Sequence, residues 1–321
     1  MNGFDVRVLG CGIVSRCAAL ALARQGLRVA LQARPPTTAS APPDVRAYAL
    51  NPASVALLAG LKAWDTLPAD ARTAVHDMKV SGDAPGAAIE FSAFTQSVAV
   101  LAWIVDAAAL EAVLDSAAGF TPLITLQAEP APAPLTVVAE GKASALRDQL
   151  GVSFERHAYG QRAIAARLVS DRPHLGVARQ WFRSPDILAL LPFDRPQAGH
   201  SHGLVWSLPD ADAERWLSAP VAEFESALNE ATGGAAGRLH LSGERAAWPL
   251  ALGRAATVSG PGWVLVGDAA HVVHPLAGQG LNLGLADVSA LAEVLVCRER
   301  WRALGDAILG RRYARRRAVA T

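Results

Sequence analysis

The chain has 321 residues, of which 51% are hydrophobic and 18% are charged, a composition that excludes a disordered chain and indicates a globular protein. A chain of this length is too long for one small core and suits one large domain or two interleaved domains. The formal net charge of +1 argues against a dedicated nucleic-acid binder, because phosphate recognition depends on a basic surface.

The chain begins with the pattern of a strand, a glycine turn, a helix and a second strand. A short strand is predicted over Asp5–Leu9 and a tight turn over Gly10–Gly12. An Ala/Leu-rich helix is expected over Ile13–Gln25 and ends at Gly26, after which Leu27–Gln32 forms a strand. This order predicts a βαβ unit.

The next part of the chain alternates between helix and strand signals. A helix is predicted over Asn51–Leu61, with asparagine as its N-cap and proline in its first turn. Alternation at Ala87–Phe91 and an apolar run at Val98–Val105 predict strands. A helix over Asp106–Ser116 begins with aspartate as its cap, and Leu135–Ala139 predicts another strand.

The middle of the chain is rich in strand signals. Between residues 152 and 205, the stretches Ala163–Val169, Ala178–Phe182 and Ile187–Leu191 carry β-type patterns with few helix signals. This pattern predicts a sheet-rich second domain. The remaining expected elements are a helix, a strand and two helices, at Ala219–Glu230, Gly262–Gly267, Leu281–Val296 and Arg298–Ala320.

Cysteine usage and apolar runs bear on the compartment. Cys11, Cys17 and Cys297 have no metal-ligand spacing and suggest no disulfide framework, so a reducing compartment is expected. No secretory signal pattern precedes the first strand, and the longest apolar run is far shorter than the ~20 residues of a membrane-spanning helix. We therefore expect a cytoplasmic protein, with any membrane association at the periphery.

The turn after the first strand carries a dinucleotide-binding pattern, Gly10-Cys11-Gly12-Ile13-Val14-Ser15. At such a turn the first glycine permits the bend, the second lets a diphosphate approach, and the helix N-terminus supplies amide donors. Ser15 replaces the usual third small residue, and Gln32 stands where an acidic side chain usually binds the adenosine ribose. Taken alone, the motif also fits a turn whose glycines serve geometry only.

A second motif lies far along the chain, at Val264-Leu265-Val266-Gly267-Asp268. A buried strand there ends in glycine, and Asp268 stands where a carboxylate could bind a sugar-like hydroxyl. Further on, Gly278-Gln279-Gly280 opens a helix whose free amides suit the anionic edge of a flavin ring. The two motifs together predict that the turn at Gly10 and the loop at Gly278 meet across one flavin.

The sequence resembles the class A flavoprotein monooxygenases, and within them the UbiH/UbiF-like ubiquinone-biosynthesis hydroxylases. The resemblance rests on the Gly10/Gly12 turn, Arg46 in Arg46-Ala47-Tyr48-Ala49-Leu50, Glu140-Gly141 with Ser144 and Arg147, and the stretch from Gly267-Asp268 to Asn282. It implies an α/β fold with a Rossmann-like FAD-binding domain like that of p-hydroxybenzoate hydroxylase, interleaved with a sheet-rich substrate domain. The FAD-binding domain is expected to comprise residues 1–75, 104–151 and 253–321, and the substrate domain residues 76–103 and 152–252.

The resemblance also implies roles for individual residues. Asp268 would bind the ribityl chain of FAD, and the backbone from Pro275 to Asn282 would face the flavin ring. Glu140, where family members usually carry aspartate, would with Gly141 help to bind FAD and the reducing nicotinamide, and Arg147 would lie near the cofactor. The expected cofactor-binding residues are Gly10, Gly12, Ser15, Gln32, Arg46, Glu140, Gly141, Arg147, Gly267, Asp268, Pro275, Gly278, Gln279, Gly280, Leu281 and Asn282.

The implied activity is that of an FAD-dependent, NAD(P)H-using monooxygenase that hydroxylates an aromatic ring with O2. Because the flavin carries the reaction, no catalytic side chain is expected, and the ring-facing backbone of Pro275, Gly278, Gln279 and Gly280 takes that place. The implied substrate is a polyprenyl phenol of ubiquinone biosynthesis, which would bring the protein to a membrane surface or a ubiquinone-biosynthesis complex.

Two histidines lie close together after Asp268. His271 and His274 lack further ligands, so we assign them structural or cofactor-packing roles and expect no metal site.

A flavin enzyme that reduces or dehydrogenates its substrate without oxygen insertion stays open as an alternative. So does a non-catalytic accessory protein with weak flavin binding, which the departures at Ser15, Gln32 and Glu140 favour.

Overall fold

The computed structural model describes residues 3–34, 44–84, 86–274 and 278–318. Within these ranges the chain forms three β-sheets with helices packed around them. In chain order the strands and α-helices are β1 (Val6–Leu9), α1 (Ile13–Ala23), β2 (Val29–Gln32), β3 (Ala47–Leu50), α2 (Pro52–Gly60), β4 (Arg72–Val75), β5 (Asp77–Ser81), β6 (Ala88–Ser92), β7 (Ala102–Asp106), α3 (Ala107–Gly119), β8 (Ile124–Gln127), β9 (Leu135–Val138), α4 (Ala145–Gln149), β10 (Phe154–Ser170), β11 (Val177–Arg183), β12 (Asp186–Phe193), β13 (Ser201–Pro209), α5 (Asp210–Ser218), α6 (Val221–Thr232), β14 (Leu239–Ala255), β15 (Ser259–Gly260), β16 (Trp263–Leu265), β17 (His271–Val272), α7 (Gln279–Val296) and α8 (Ala307–Ala318).

The first sheet has six strands in the order β15-β16-β9-β1-β2-β8. All neighbours pair in parallel except β15 with β16. Strands β2 and β9 are buried almost throughout, as their continuous apolar sequences require, and α1 packs with α3 and α7 in the same core. Such a covered parallel sheet binds ligands at the carboxyl ends of its strands.

The second sheet has eight strands in the order β17-β14-β10-β13-β12-β11-β5-β6, all antiparallel except β11 with β5. One face packs against α5 and α6, where Ile164, Leu190 and Leu204 meet Phe224. Because side chains alternate along a strand, the residues between these point to the opposite face. That opposite face borders the cavity described below.

A three-stranded sheet, β3-β7-β4, lies beside the eight-stranded sheet. Arg167 of β10 donates from Nη2 to the carboxylate of Asp106 at 3.0 Å and to the carbonyl oxygen of Arg46 at 2.7 Å. The guanidinium also lies 4.0 Å from the ring centroid of Phe193. These contacts join the eight-stranded sheet to the start of α3.

The predicted fold class and helix caps are confirmed. The chain has the expected βαβ start, a parallel sheet covered by helices and a strand-rich remainder. Asn51 accepts a hydrogen bond from the N–H of Ser54 at 2.8 Å, and Asp106 accepts one from Ala109 at 2.8 Å. Each side chain therefore satisfies a free amide in the first turn of its helix.

The strand predicted over Val98–Val105 is shorter than its apolar run. It begins only at Ala102, and Val98 lies exposed in the preceding turn, with 49% of its surface accessible. An apolar run does not show where a strand begins, because apolar residues can also occupy the turn before it. The first four residues of the prediction were therefore wrong.

The helix predicted over Arg298–Ala320 is also shorter. It begins at Ala307, and the residues before it form turns in which Arg302 pairs with Glu299 at 2.8 Å and with Asp306 at 2.6 Å. Charged side chains at these spacings also suit a helix, so the sequence pattern could not distinguish a helix from a series of turns. Residues 319–321 lie outside the described part of the chain.

Candidate functional site

The turn after β1 brings two strand ends into contact. Gly10 has a φ of +121°, and a Cβ atom there would lie 2.1 Å from the carbonyl oxygen of Ala139, just past β9. Only glycine fits, since other residues rarely adopt this φ and the neighbouring atom belongs to the backbone. Strands β1 and β9 flank the switch in strand order, where open α/β sheets bind ligands.

Gly12 has open space where Gly10 has none. It precedes α1 with a φ of −100°, and no atom of a described residue lies within 4 Å of the position its Cβ would take. No side chain in the described ranges caps α1, and the first amides of a helix have no acceptor within it. Gly12, Ile13 and Val14 all line the same cavity, so this helix end is free to meet an anion there.

The two departures from the dinucleotide pattern have partners inside the protein. Ser15 is fully buried, and its hydroxyl donates to the carbonyl oxygen of Gly12 at 2.7 Å. Gln32 accepts through Oε1 from the N–H of Gly10 at 2.7 Å. Both side chains therefore stabilise the turn itself, and their contact with a cofactor stays a prediction.

Sequence analysis missed Arg16, a buried residue beneath this turn. Its Nη1 donates to the carbonyl oxygens of Gly10 at 3.2 Å and Gln32 at 3.0 Å, and its Nε pairs with Asp115 at 2.6 Å. The guanidinium thus ties the turn to β2 and α3. The available signal was an arginine near the start of an Ala/Leu-rich helix, which indicates a charge that is paired if it is buried.

The second predicted motif turns sharply after β16. Gly267 has a φ of +61°, and its N–H donates to the carboxylate of Asp287 at 2.8 Å. Asp287 is fully buried in α7 and also accepts from His271 Nε2 at 2.7 Å and from Arg317 of α8. It thereby holds the turn that carries Asp268. Sequence analysis missed this residue, although a carboxylate amid apolar helix positions was the signal.

Asp268 itself lines the cavity. Its carboxylate accepts no hydrogen bond from the residues that the structure describes. Burial raises the pKa of this carboxyl above its ordinary value, against the opposing effect of Lys142 and His271. Leaving a carboxylate partly buried without a donor is costly, so a hydroxyl-bearing ligand would be a suitable partner.

Gly278, directly before α7, lies against β3. Gly278 has a φ of +66°, and a Cβ atom there would lie 3.0 Å from the nitrogen of Ala49. Asn282 holds this contact, because its Nδ2 donates to the carbonyl oxygens of Ala49 at 2.7 Å and Gly278 at 3.0 Å. The helix begins at Gln279, and no side chain among the described residues caps its first amides, which have no acceptor within the helix.

Four of the predicted ring-facing residues lie in this part of the site. Gly278, Gly280, Leu281 and Asn282 all line the cavity, whereas Gln279, the first residue of α7, is not among the residues that line it. Pro275 lies outside the described residues, so its predicted position is untested. The contact of this segment with a flavin ring stays a prediction.

Glu140 and Arg147 use their charged groups within the protein. Glu140 accepts through Oε2 from the hydroxyl of Ser144 at 2.7 Å, at the start of α4. Arg147 is buried, with its guanidinium 4.0 Å from the ring centroid of Phe154, and donates to a backbone carbonyl after β16 at 3.4 Å. In this segment Gly141 lines the cavity. The predicted roles of the two charged side chains in cofactor binding remain predictions.

Arg46 and Tyr48 lie side by side on the cavity wall. Arg46 pairs with Asp44 at 2.6 Å and with Glu111 at 3.4 Å, and the hydrogen bond to Asp44 raises the pKa of its guanidinium. The guanidinium lies 5.7 Å from the ring centroid of Tyr48, whose pKa burial raises to about 12. Tyr48 therefore keeps its proton near neutral pH.

These segments open onto one cavity of about 700 Å³. Gly12 and Gly278 both line it, so the two distant glycine motifs share one cavity. Small and apolar side chains of the eight-stranded sheet form the facing wall, among them Met78, Ala163, Ala165, Ala178, Ala189, Leu191, Val205, Trp248 and Leu250. Such a cavity, mostly apolar with a few polar groups, is typical of cofactor and substrate sites.

The two histidines contact protein groups. His271 pairs with Asp287, and His274 contacts Tyr159 with 5.3 Å between ring centroids. Among the described residues, no group of three or more His, Cys, Asp or Glu side chains could hold a metal ion. In the same part of the chain, no helix has both the length and the hydrophobicity to cross a membrane.

The residues around the cavity fit an FAD molecule. The uncapped start of α1 and the open space at Gly12 suit a diphosphate, because helix amides and the helix dipole bind anions. The carboxylate of Asp268, which accepts no hydrogen bond from a described residue, suits a polyhydroxyl chain, and the start of α7 suits the polar edge of a ring. All three features border the same cavity, since Gly12, Asp268 and Gly280 line it.

Comparisons with known proteins agree with this fit. Residues 3–321 match the family model described as FAD binding domain. Ubiquinone hydroxylase UbiL of Rhodospirillum rubrum is 30% identical, covering 92% of this chain and 73% of the relative. The 3-demethoxyubiquinol 3-hydroxylase of Escherichia coli is 31% identical, covering 91% of this chain and 79% of the relative. The crystal structure of PqsL, a probable FAD-dependent monooxygenase from Pseudomonas aeruginosa, superposes with a TM-score of 0.79 at 21% identity, covering 99% of this chain and 93% of that one.

Proposed function

We propose a function from one premise: this chain belongs to the FAD-binding domain family and is an FAD-dependent monooxygenase. Its reaction would be the hydroxylation of an aromatic ring with O2, with NAD(P)H as reductant. The substrate would be a quinone precursor with a polyprenyl chain, by analogy with the two ubiquinone-pathway hydroxylases it resembles. The observation that carries this proposal is the single cavity shared by both glycine motifs and an apolar sheet wall.

Each part of the site would have its own task. The amides at the start of α1 would bind the diphosphate, which approaches closely because Gly12 has no side chain. Asp268 would accept hydrogen bonds from ribityl hydroxyls, and Gln32 would stand near the adenosine ribose. The backbone from Gly278 to Asn282 would face the ring. Positions 1–75, 104–151 and 253–321 would form this cofactor-binding domain, and the rest the substrate domain.

FAD, when bound, would supply the redox chemistry by which NAD(P)H and O2 hydroxylate the ring, with one oxygen atom in the product and the other in water. The protein residues contribute position and environment. The apolar wall of the eight-stranded sheet would hold the aromatic ring against the cofactor and exclude water from the space between them.

One spectrum and one assay test the proposal. We expect purified protein, after incubation with FAD, to show the absorption of a bound flavin. With NAD(P)H and a polyprenyl phenol it should consume O2 and yield a hydroxylated ring. Flavin reduction without a hydroxylated product would support a reductase or dehydrogenase. Absence of bound flavin even at high FAD concentration would support a non-catalytic accessory protein.

We also propose that the protein contacts a membrane surface at the outer edge of the eight-stranded sheet. The face of the sheet that forms the cavity wall extends to this edge, since Ala178 pairs with Met78 and Met78 pairs with Phe91. The edge and the turn after it expose large apolar side chains, namely Ile89 (59% exposed), Phe91 (40%), Phe94 (90%) and Val98 (49%). Contiguous exposed apolar residues mark interaction sites, and a lipid surface would bring an isoprenoid substrate to the cavity.

Vesicle binding tests this contact. We expect the protein to sediment with phosphatidylcholine vesicles, and Phe94→Ser to weaken that binding by roughly 10- to 100-fold, because burying one phenylalanine contributes about 1.5–3 kcal/mol. Phe120→Ser is the matched control, because Phe120 is 86% exposed but follows α3, beside the other large sheet. Equal binding by the two variants would contradict this assignment.

A further inference from the structure

The cavity-facing side of the eight-stranded sheet contains one row of small side chains that ends in an amide. Gln180 of β11 pairs with Ala189, Ala189 pairs with Val205, and Val205 pairs with Ala165. Residues paired across strands share a face, so these four side chains lie on the same side of the sheet. All four line the cavity.

Gln180 is the polar member of an otherwise apolar row. In the part of the chain that the structure describes, its side-chain amide has no hydrogen-bond partner, although the residue is only partly exposed. Its neighbour across the next strand is Val80, so no polar side chain faces it from that direction either. An amide at an apolar wall gains stability from a ligand or water that can donate or accept a hydrogen bond.

Other polar groups on this wall are less suited to that task. Arg179 also lines the cavity, but it pairs with Leu190, whose side chain packs on the face covered by α5 and α6. Its guanidinium donates to the carbonyl oxygen of Val177 at 3.4 Å and cannot accept a hydrogen bond. Trp248 lines the cavity on β14, but its indole can only donate. A glutamine amide both donates and accepts, and therefore matches a phenol hydroxyl or a ring carbonyl.

We propose that Gln180 determines specificity by hydrogen bonding to an oxygen substituent of the aromatic substrate. This inference rests on the proposed hydroxylase function. The row of small side chains beside Gln180 leaves room for a flat ring, while the amide determines which edge of the ring faces the sheet. Gln180 is thus a recognition residue for the ring oxygens, and the apolar remainder of the wall recognises hydrocarbon.

The test compares two probes of nearly equal shape, 4-propylphenol and 4-propyltoluene, titrated into the FAD-loaded protein while the flavin absorption is followed. We expect the wild-type protein to bind the phenol more tightly, and Gln180→Met to lose about tenfold of that preference, the effect of about one neutral hydrogen bond. Methionine has a similar length and volume, so binding of the toluene should change little.

Two controls separate recognition from folding. Gln161→Met makes the same chemical change on β10, where the amide donates to the carbonyl oxygen of Pro185 at 2.9 Å and lies exposed outside the cavity. Gln180→Glu keeps the length and the accepting oxygens, and should retain part of the phenol preference. It provides a second test of the residue if Gln180→Met folds poorly. The Kd for FAD should be the same in all of these proteins.

Each result decides between the proposals. An unchanged phenol preference in both Gln180 variants would overturn the role of this residue while leaving the hydroxylase function in place. Loss of preference in Gln161→Met as well would overturn it too, because the effect would then be general. If the wild-type protein took up FAD but bound neither probe, both the inference and the proposed substrate class would fail.

Discussion

Alanine substitutions at the two glycines of the first turn should have opposite effects on FAD binding and on folding. Gly12→Ala places a methyl group in open space, at a φ of −100° that any residue adopts. Gly10→Ala places one 2.1 Å from the carbonyl oxygen of Ala139, at a φ of +121°. The first change should therefore affect the ligand alone, and the second should affect the fold.

The expected magnitudes differ accordingly. For Gly12→Ala we expect the free energy of unfolding of the apo-protein to change by less than about 0.5 kcal/mol, as at other unstrained surface positions. Its affinity for FAD should fall by roughly 10- to 100-fold, because displacing a phosphate from one backbone amide loses about 1.5–3 kcal/mol. For Gly10→Ala, backbone strain of about 1–3 kcal/mol adds to an overlap that costs about as much again.

Two measurements on each variant check this. Thermal unfolding of the apo-protein reports stability, and quenching of flavin fluorescence on titration reports the Kd for FAD. A Gly12→Ala protein that binds FAD as tightly as the wild type would refute the assignment of this turn to the diphosphate. A Gly10→Ala protein of wild-type stability would refute the packing argument.

Three further predictions concern side chains around the same cavity. Gln32→Glu should tighten FAD binding about two- to tenfold, since charge-assisted hydrogen bonds are about twice as strong as neutral ones, and an unchanged Kd would argue against a ribose contact here. Asp287→Asn should destabilise the protein by about 3–5 kcal/mol, because the amide cannot accept from Gly267, His271 and Arg317 together; an unchanged melting curve would contradict this. Asp268→Asn should stabilise the apo-protein near neutral pH, since burial disfavours the ionised carboxylate and raises its pKa. That advantage should shrink as the pH falls through the raised pKa, because the wild-type carboxyl then takes up a proton in the folded state; a pH-independent difference in melting temperature would disprove it.

Local signals were sufficient for much of the fold and for the cofactor. A glycine turn between an apolar strand and an Ala/Leu helix needs only a few consecutive residues, and so do the caps at Asn51 and Asp106, both of which the structure confirms. The family followed from motifs of the same kind. Boundaries were less certain, as at Val98 and Arg298, because turns compete with regular structure on small energy differences.

The partners of buried and cavity-facing groups depended on the tertiary structure. Arg16 meets Asp115 and Gly278 meets Ala49, although each pair is far apart in the sequence, and Gln180 shares a row with Ala165 only through the register of β12 and β13. Local propensity cannot specify such contacts, because strand register and sheet packing are set by the whole core rather than by neighbouring residues. Which donors and acceptors stay unpaired at the cavity, and hence what it can bind, is therefore a property of the folded chain.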